Sequence, residues 1–323
     1  MKTVKIGLLG LGNIGTGTYK TLELNRDEIE STLKAKVDIV RILERDVDRD
    51  RGIHVPPEKF TSDPDSIFTD PDIDIVIELL GGIEPATSFM LAAMENGKHV
   101  VTANKAAVAA NYPRIMETAE KNGVMFKYEA SVGGGIPILT SIDGPLRANK
   151  FQEVLGILNG TTNYIMTMMT KEGLDYNTAL KEAQAKGFAE ADPTADVEGI
   201  DAANKLSILM ALMFDQYVHP EEIPTTGISA ITKEDIESAR ADSCVIKLIA
   251  KASKNDDGSL DYEVKPMRLK ESHPLASINM EFNAVFVEGN AVGELMFYGK
   301  GAGPLPTGSA VMGDVMEIVR RVL

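Results

Sequence analysis

The sequence predicts an α/β protein: a doubly wound parallel sheet followed by an α+β portion with a mixed sheet. Three observations carry this expectation. Strand-like and helix-like segments alternate over the first 130 residues, as the βαβ units of a parallel sheet require. A G-x-G-x-x-G sequence falls at the first strand-to-helix junction. Beyond Ser131 the rhythm changes to a series of helices and then to β-rich segments separated by turn signals.

Residues 4–9 form a short apolar run, 14–24 fit a helix and 37–43 are again β-rich, which makes one βαβ unit. Residues 73–79 (IDIVIEL) are apolar enough for a strand buried on both faces. A helix follows, opened by Pro85 and closed at Asn96-Gly97. The pattern repeats as a strand at 99–102, a helix at 113–122 ended by Gly123, and a strand at 124–129. After the glycine cluster Gly133-Gly134-Gly135, helices are expected at 161–169, 175–185 and 200–213. β-rich segments lie at 245–253, 260–269, 284–287 and 294–298, with Asn255-Asp256-Asp257-Gly258 as a turn. Residues 307–322 have amphipathic helical spacing. No repeat or low-complexity linker is visible, so a domain boundary near 130 rests on the change of rhythm.

With 323 residues, 44% hydrophobic and 25% charged, the chain can bury a sizeable core in two domains, which excludes disorder, collagen and coiled coil. Thirty-three Lys and Arg against 48 Asp and Glu give a net charge of −15. That field repels phosphate backbones and anionic lipid, and no basic patch is segregated, so neither nucleic acid nor a membrane surface is expected as a partner. One cysteine, Cys244, cannot form an intramolecular disulfide, and no signal peptide is visible. The expected location is cytoplasmic. The longest apolar run, 206–214 with one Ser inside, is far short of the roughly 20 residues of a membrane helix.

Gly10-Leu11-Gly12-Asn13-Ile14-Gly15 sits between a predicted strand and a predicted helix, the context that gives this motif its meaning. Gly10 permits the tight turn, Gly12 lets a pyrophosphate approach the backbone, and Gly15 lets helix and strand pack closely. The helix N-terminus adds a favourable dipole. A Rossmann-type dinucleotide site follows, with a glycine-rich loop without a ligand as the alternative. Past the second strand stand Glu44, Arg45 and Asp46. An acid there binds the 2′-hydroxyl of NAD, and an arginine accommodates the 2′-phosphate of NADP. The choice stays open, with Arg45 tilting it towards NADP unless it is only a solvated surface residue.

Residues 183–205 read AQAKGFAEADPTADVEGIDAANK and carry Glu190, Asp192, Asp196, Glu198, Asp201 and Lys205. Asp201 and Lys205 are i and i+4 on the helix that runs on into an apolar stretch, so they share a face. A surface salt bridge is the plain alternative. A lysine beside a nicotinamide can donate or accept a proton, and a neighbouring carboxylate can fix its position.

This stretch resembles the signature of homoserine dehydrogenases, A-x-x-x-G-[aromatic or aliphatic]-small followed by D-P-x-x-D-[aliphatic]-x-G-x-D-x-x-x-K, at every defining position. The segments at 77–83 (IELLGGI), 101–105 (VTANK), 129–137 (EASVGGGIP), 156–163 (GILNGTTN) and 299–311 (GKGAGPLPTGSAV) resemble the same family. The resemblance implies NAD(P)-dependent interconversion of L-homoserine and L-aspartate 4-semialdehyde, a step towards threonine and methionine. It implies Lys205 as general acid/base on the substrate oxygen, Asp201 as its orienting partner, and Lys105 as a second cation that touches cofactor and substrate. Glu190 would bind the substrate ammonium, Asp196 would shape that pocket, and Gly160 and Thr161 would line it. Gly10, Gly12, Asn13, Ile14, Gly15, Arg45, Lys105 and Gly303 would hold the cofactor. Glu129 and the carbonyls of Val132, Gly134 and Ile136 resemble a structural monovalent cation site, usually sodium, for which carbonyl and carboxylate oxygens are suited. A glycine turn that merely crosses between domains is the alternative there.

The resemblance further implies a dinucleotide-binding domain at 1–130, with a C-terminal helix at 305–323 packing back on it. A catalytic and dimerisation domain at 131–304 would pair into a homodimer. It also implies a short form without a C-terminal ACT-type regulatory domain, little affected by threonine. His54, His99, His219 and His273 lack metal-ligand spacing, and Met166, Met168 and Met169 read as core. Two rivals remain. A semialdehyde dehydrogenase that acylates a cysteine is disfavoured by the plain surroundings of Cys244. A non-catalytic dinucleotide sensor is disfavoured by the complete set of lysines and carboxylates.

Overall fold

The computed structural model describes residues 2–322. Two compact units divide the chain: one runs to Gly135 and resumes at Ala302, and the other comprises Ile136–Gly301. Among the described residues no helix is long and apolar enough to cross a membrane.

The first unit runs β1 (Thr3–Leu9), α1 (Asn13–Leu24), α2 (Arg26–Leu33), β2 (Lys36–Leu43), β3 (Phe60–Thr61), α3 (Asp65–Phe68), β4 (Ile75–Glu78), α4 (Ala86–Glu95), β5 (His99–Thr102), α5 (Lys105–Lys121) and β6 (Phe126–Lys127). All its strand pairs are parallel, in the order β3-β2-β1-β4-β5-β6. The order reverses between β1 and β4, so the crevice for a dinucleotide opens at their carboxyl ends. Leu8 and Ile77 on one face, and Leu9 and Val76 on the other, are all fully buried, the signature of a sheet covered on both faces.

Local chemistry moved two expected boundaries. The helix expected from 113 begins at Lys105, because Asn104 accepts a hydrogen bond from Ala107 N and caps it. Pro113 is then carried inside the helix, behind a non-helical Asn111 at φ −130°. The strand expected at 124–129 shrinks to β6, since the chain turns into a short 3₁₀ segment at Glu129–Ser131.

The second unit contains α6 (Ile138–Asp143), β7 (Phe151–Ile157), α7 (Gly160–Glu172), α8 (Tyr176–Ala185), α9 (Thr194–Val197), α10 (Ile200–Phe214), α11 (Lys233–Ala241), β8 (Cys244–Lys254), β9 (Leu260–Lys270), β10 (Phe282–Gly289) and β11 (Gly293–Lys300). Its sheet has the order β11-β10-β7-β8-β9. Every ladder in it is antiparallel. The parallel component of the expected mixed sheet is confined to one isolated bridge, Thr225 to Val264. Short connections between β8 and β9 and between β10 and β11 impose that direction. The central strand β7 escapes a reading by pattern, because Gly156 interrupts its apolar run.

The last element, α12 (Pro304–Val322), belongs to the first unit. A Cβ on Gly17 would stand 2.1 Å from Pro304 O, and one on Gly308 would stand 2.7 Å from the Gly17 carbonyl carbon. α12 therefore lies backbone against backbone on α1, and Val311, Val315 and Ile318 complete the core beside Leu22 and Ile39.

Candidate active site

Each glycine of the first turn has a different reason to be there. Gly10 adopts φ +93°, a conformation that disfavours side chains. A Cβ on Gly15 would stand 2.2 Å from Gly10 O, so helix and turn can approach only without one. At Gly12, the N-cap of α1, a Cβ would meet nothing within 4 Å, and no side chain caps the helix. Open space thus lies over the first turn that Asn13 and Ile14 begin, which fits a pyrophosphate held by backbone N–H groups. Gly303, at φ +113°, accepts a hydrogen bond from Thr307 N and turns the chain into α12 at Pro304.

Beyond β2 the structure sorts the three charged candidates. Glu44 faces inward and accepts from Leu11 N at 3.0 Å, Arg45 N at 2.8 Å and Asp46 N at 3.1 Å. Burial pushes its carboxyl up, but those backbone donors and the nearby Arg51 guanidinium outweigh burial and hold it below the usual carboxylate range. Arg51, which sequence reasoning missed, lies 3.2 Å from Glu44 and donates to Leu11 O at 2.7 Å and Asp46 O at 2.6 Å. Its side chain is 6% exposed, so it braces the turn, whereas the Arg45 side chain is exposed. Lys105, half-buried, opens α5 immediately after the cap Asn104.

In the second unit the charged signature folds against the start of α7. Lys205 Nζ donates to Asp201 Oδ2 and to Leu158 O, both at 2.6 Å. The two residues are 7% and 5% exposed, so this is a buried ion pair and the surface salt bridge is excluded. Asn159 Nδ2 donates to Asp196 Oδ1 at 2.7 Å and to Asp201 Oδ2 at 3.0 Å, while its Oδ1 caps α7 by accepting from Thr162 N. Thr161 Oγ1 stands 3.1 Å from Asp196 Oδ2 and 2.6 Å from Phe188 O. A Cβ on Gly160 would stand 2.7 Å from Glu281 O, so glycine lets the turn approach the segment before β10. Asp196, Asp201, Lys205, Gly160 and Thr161 thus converge through Asn159, an organiser whose only signal in the sequence is its place in the LNG of 156–163. Glu190 lies apart, its side chain exposed on the loop after α8 and its carbonyl held by Gln184 Nε2 at 3.0 Å.

At the expected cation site Glu129 is 5% exposed, and its backbone N donates to Asp314 Oδ2 at 2.8 Å. Burial, reinforced by the Glu129 charge, pushes the Asp314 carboxyl well up. Val132 is buried and Gly134 adopts φ +56°, while Ile136, also buried, opens the second unit. No group of three or more His, Cys, Asp or Glu that could hold a metal occurs among the described residues.

Comparison with known proteins places this geometry in a family. The family profile described as homoserine dehydrogenase matches residues 137–316, and the one described as homoserine dehydrogenase, NAD binding domain, matches residues 10–129. Homoserine dehydrogenase of Synechocystis is 47% identical over 320 residues, 98% of this chain and 73% of that protein. Homoserine dehydrogenase of Bacillus subtilis is 42% identical over 322 residues, 100% of this chain and 74% of that protein. The crystal structure of a homoserine dehydrogenase from Thiobacillus denitrificans superposes with a TM-score of 0.95 at 42% identity, covering 99% of this chain and 74% of the other. The chain belongs to the homoserine dehydrogenase family of oxidoreductases and carries that family's NAD-binding domain.

Proposed function

We propose that the protein interconverts L-homoserine and L-aspartate 4-semialdehyde, with the first unit holding the dinucleotide and the second the substrate. The observation that carries this is the buried Lys205–Asp201 pair, held in place by Leu158 O and Asn159. A nicotinamide bound by the first unit would supply or accept the hydride. In reduction, Lys205 gives a proton to the carbonyl oxygen as the aldehyde carbon gains the hydride; in oxidation it removes the hydroxyl proton. Asp201 holds the ammonium of Lys205 in one direction, and Lys105 serves the same step as a second cation. Glu190 binds the substrate ammonium by a charge-assisted hydrogen bond, which requires its loop to present the exposed carboxylate to the ligand. Asp196, Gly160 and Thr161 shape the rest of that pocket.

Gly10, Gly12, Asn13, Ile14, Gly15, Lys105 and Gly303 hold the cofactor, and NADP is preferred. The commitment of Glu44 to backbone donors, with Arg45 left exposed, supports that preference. A structural sodium ion at Glu129, Val132, Gly134 and Ile136 and a homodimer through the second unit complete the reading. The dimer is supported by the edge strand β11, whose Met296 and Tyr298 are 39% and 53% exposed.

The test is Lys205→Met, assayed with aspartate semialdehyde and NADPH. Turnover should fall by about 10²- to 10⁴-fold with cofactor affinity unchanged, the usual contribution of a general acid. Turnover near that of the wild type would remove Lys205 from the chemistry.

A further inference from the structure

Glu78 and Thr102 are register partners at the ends of β4 and β5, and neither is exposed. Thr102 Oγ1 donates to Glu78 Oε2 at 2.7 Å and accepts from Asn104 N at 3.0 Å. Asn104 Nδ2 donates to Gly82 O at 2.7 Å, and Leu80 N donates to Glu78 Oε1 at 2.7 Å. The loop after β4 and the start of α5 are thereby closed into one ring of hydrogen bonds. Thr102 Oγ1 accepts from a backbone N–H that can only donate, and passes its own proton to Glu78. Both carboxylate oxygens accept, Oε1 from Leu80 N and Oε2 from the Thr102 hydroxyl.

A carboxylate in this position is costly. Burial pushes the Glu78 carboxyl up, and the donors around it only partly oppose that. Its strand neighbours Val76 and Ile77 show that an apolar residue can lie fully buried here. What the ring fixes is Asn104, whose Oδ1 accepts from Ala107 N and so sets the first turn of α5, where Lys105 is the first residue.

We propose that Glu78 is a positioning residue for Lys105, acting through Thr102 and Asn104 to hold the first turn of α5 against the Leu80–Gly82 loop. The proposal rests on the reading of Lys105 as a participant in the reaction. In Glu78→Gln one acceptor becomes an NH₂ donor, so either Leu80 N or the Thr102 hydroxyl loses its partner with almost no change in shape.

Glu78→Gln, Lys105→Met and the double variant test this by kcat and KM across pH, by cofactor titration and by thermal melting. Glu78→Gln should lower kcat about tenfold or more while cofactor Kd stays within about threefold, and in the Lys105→Met background the same change should cost less than about twofold, because residues that act as a unit are non-additive. Equal losses in both backgrounds, or full activity of Glu78→Gln, would overturn the positioning role alone. Full activity of Lys105→Met would overturn the reading of Lys105 and the proposal with it. Should Glu78→Gln fail to fold, Thr102→Val breaks the same ring at its middle and carries the same expectations.

Discussion

Alanine at Gly12 should separate cofactor binding from folding. Its Cβ meets no protein atom within 4 Å, and φ −72° is open to any L-residue. The cost to folding is that of alanine for glycine at an N-cap, under about 1 kcal/mol. That methyl group nevertheless occupies the space through which a pyrophosphate reaches the first turn of α1. Losing one charge-assisted hydrogen bond, worth about 1.5–3 kcal/mol, raises Kd about 10- to 100-fold. Gly15→Ala inverts the pattern: its Cβ would lie 2.2 Å from Gly10 O, where backbone must yield. Overpacking of that kind costs about 1–3 kcal/mol, which in a unit of this size lowers Tm by about 2–4 °C per kcal/mol. Fluorescence titration with NADPH and NADH, together with thermal melting, reads both quantities. The reasoning fails if Gly12→Ala binds cofactor as tightly as the wild type, or if its Tm falls as far as that of Gly15→Ala.

Two further outcomes are expected. Arg45→Ala should weaken NADP about tenfold or more while sparing NAD, since only NADP carries the 2′-phosphate that a guanidinium grips; equal loss for both would return Arg45 to the solvent. Lys247 is 3% exposed, donates to Ile278 O, Asn163 Oδ1 and Asn279 Oδ1, and is lowered by burial, with Lys171 adding to it, to about 8. Below pH 8 it is protonated in both folded and unfolded chains, and its full cost is present. Between pH 8 and 10.5 only the folded chain sheds the proton, so stability rises with pH, by an amount on the order of 3 kcal/mol. Urea unfolding at pH 7.5 and pH 10 should show the wild type gaining on Lys247→Met across that interval, and parallel profiles would refute the shift.

The parts of the site legible in the sequence are those built within a few residues. The glycine turn is a local backbone conformation, and Asp201 with Lys205 is an i, i+4 pair, so each carries its geometry in its spacing. Lys105 is legible in the sequence only as a motif member; that it opens a helix depends on the Asn104 cap, because Pro113 is the stronger local signal for a helix start. Asn159 looked like one polar residue among several, and nothing near it in the chain announces that its amide joins Asp196 and Asp201.

By itself, then, the sequence determined the alternating first unit, the phosphate turn, the buried α10 face and the family signature, because periodicity and short-range spacing are properties of the chain alone. Tertiary structure decided which groups those elements meet. Lys205 finds Leu158 O, Arg51 finds Leu11 O, and Glu78 finds Thr102, from 47, 40 and 24 residues away. It likewise decided the antiparallel order around β7 and the close approach of α12 to α1. Such partners are chosen by the packing of whole elements, where burying a polar group leaves only the acceptors that the fold brings within reach, and no local pattern encodes which ones those are.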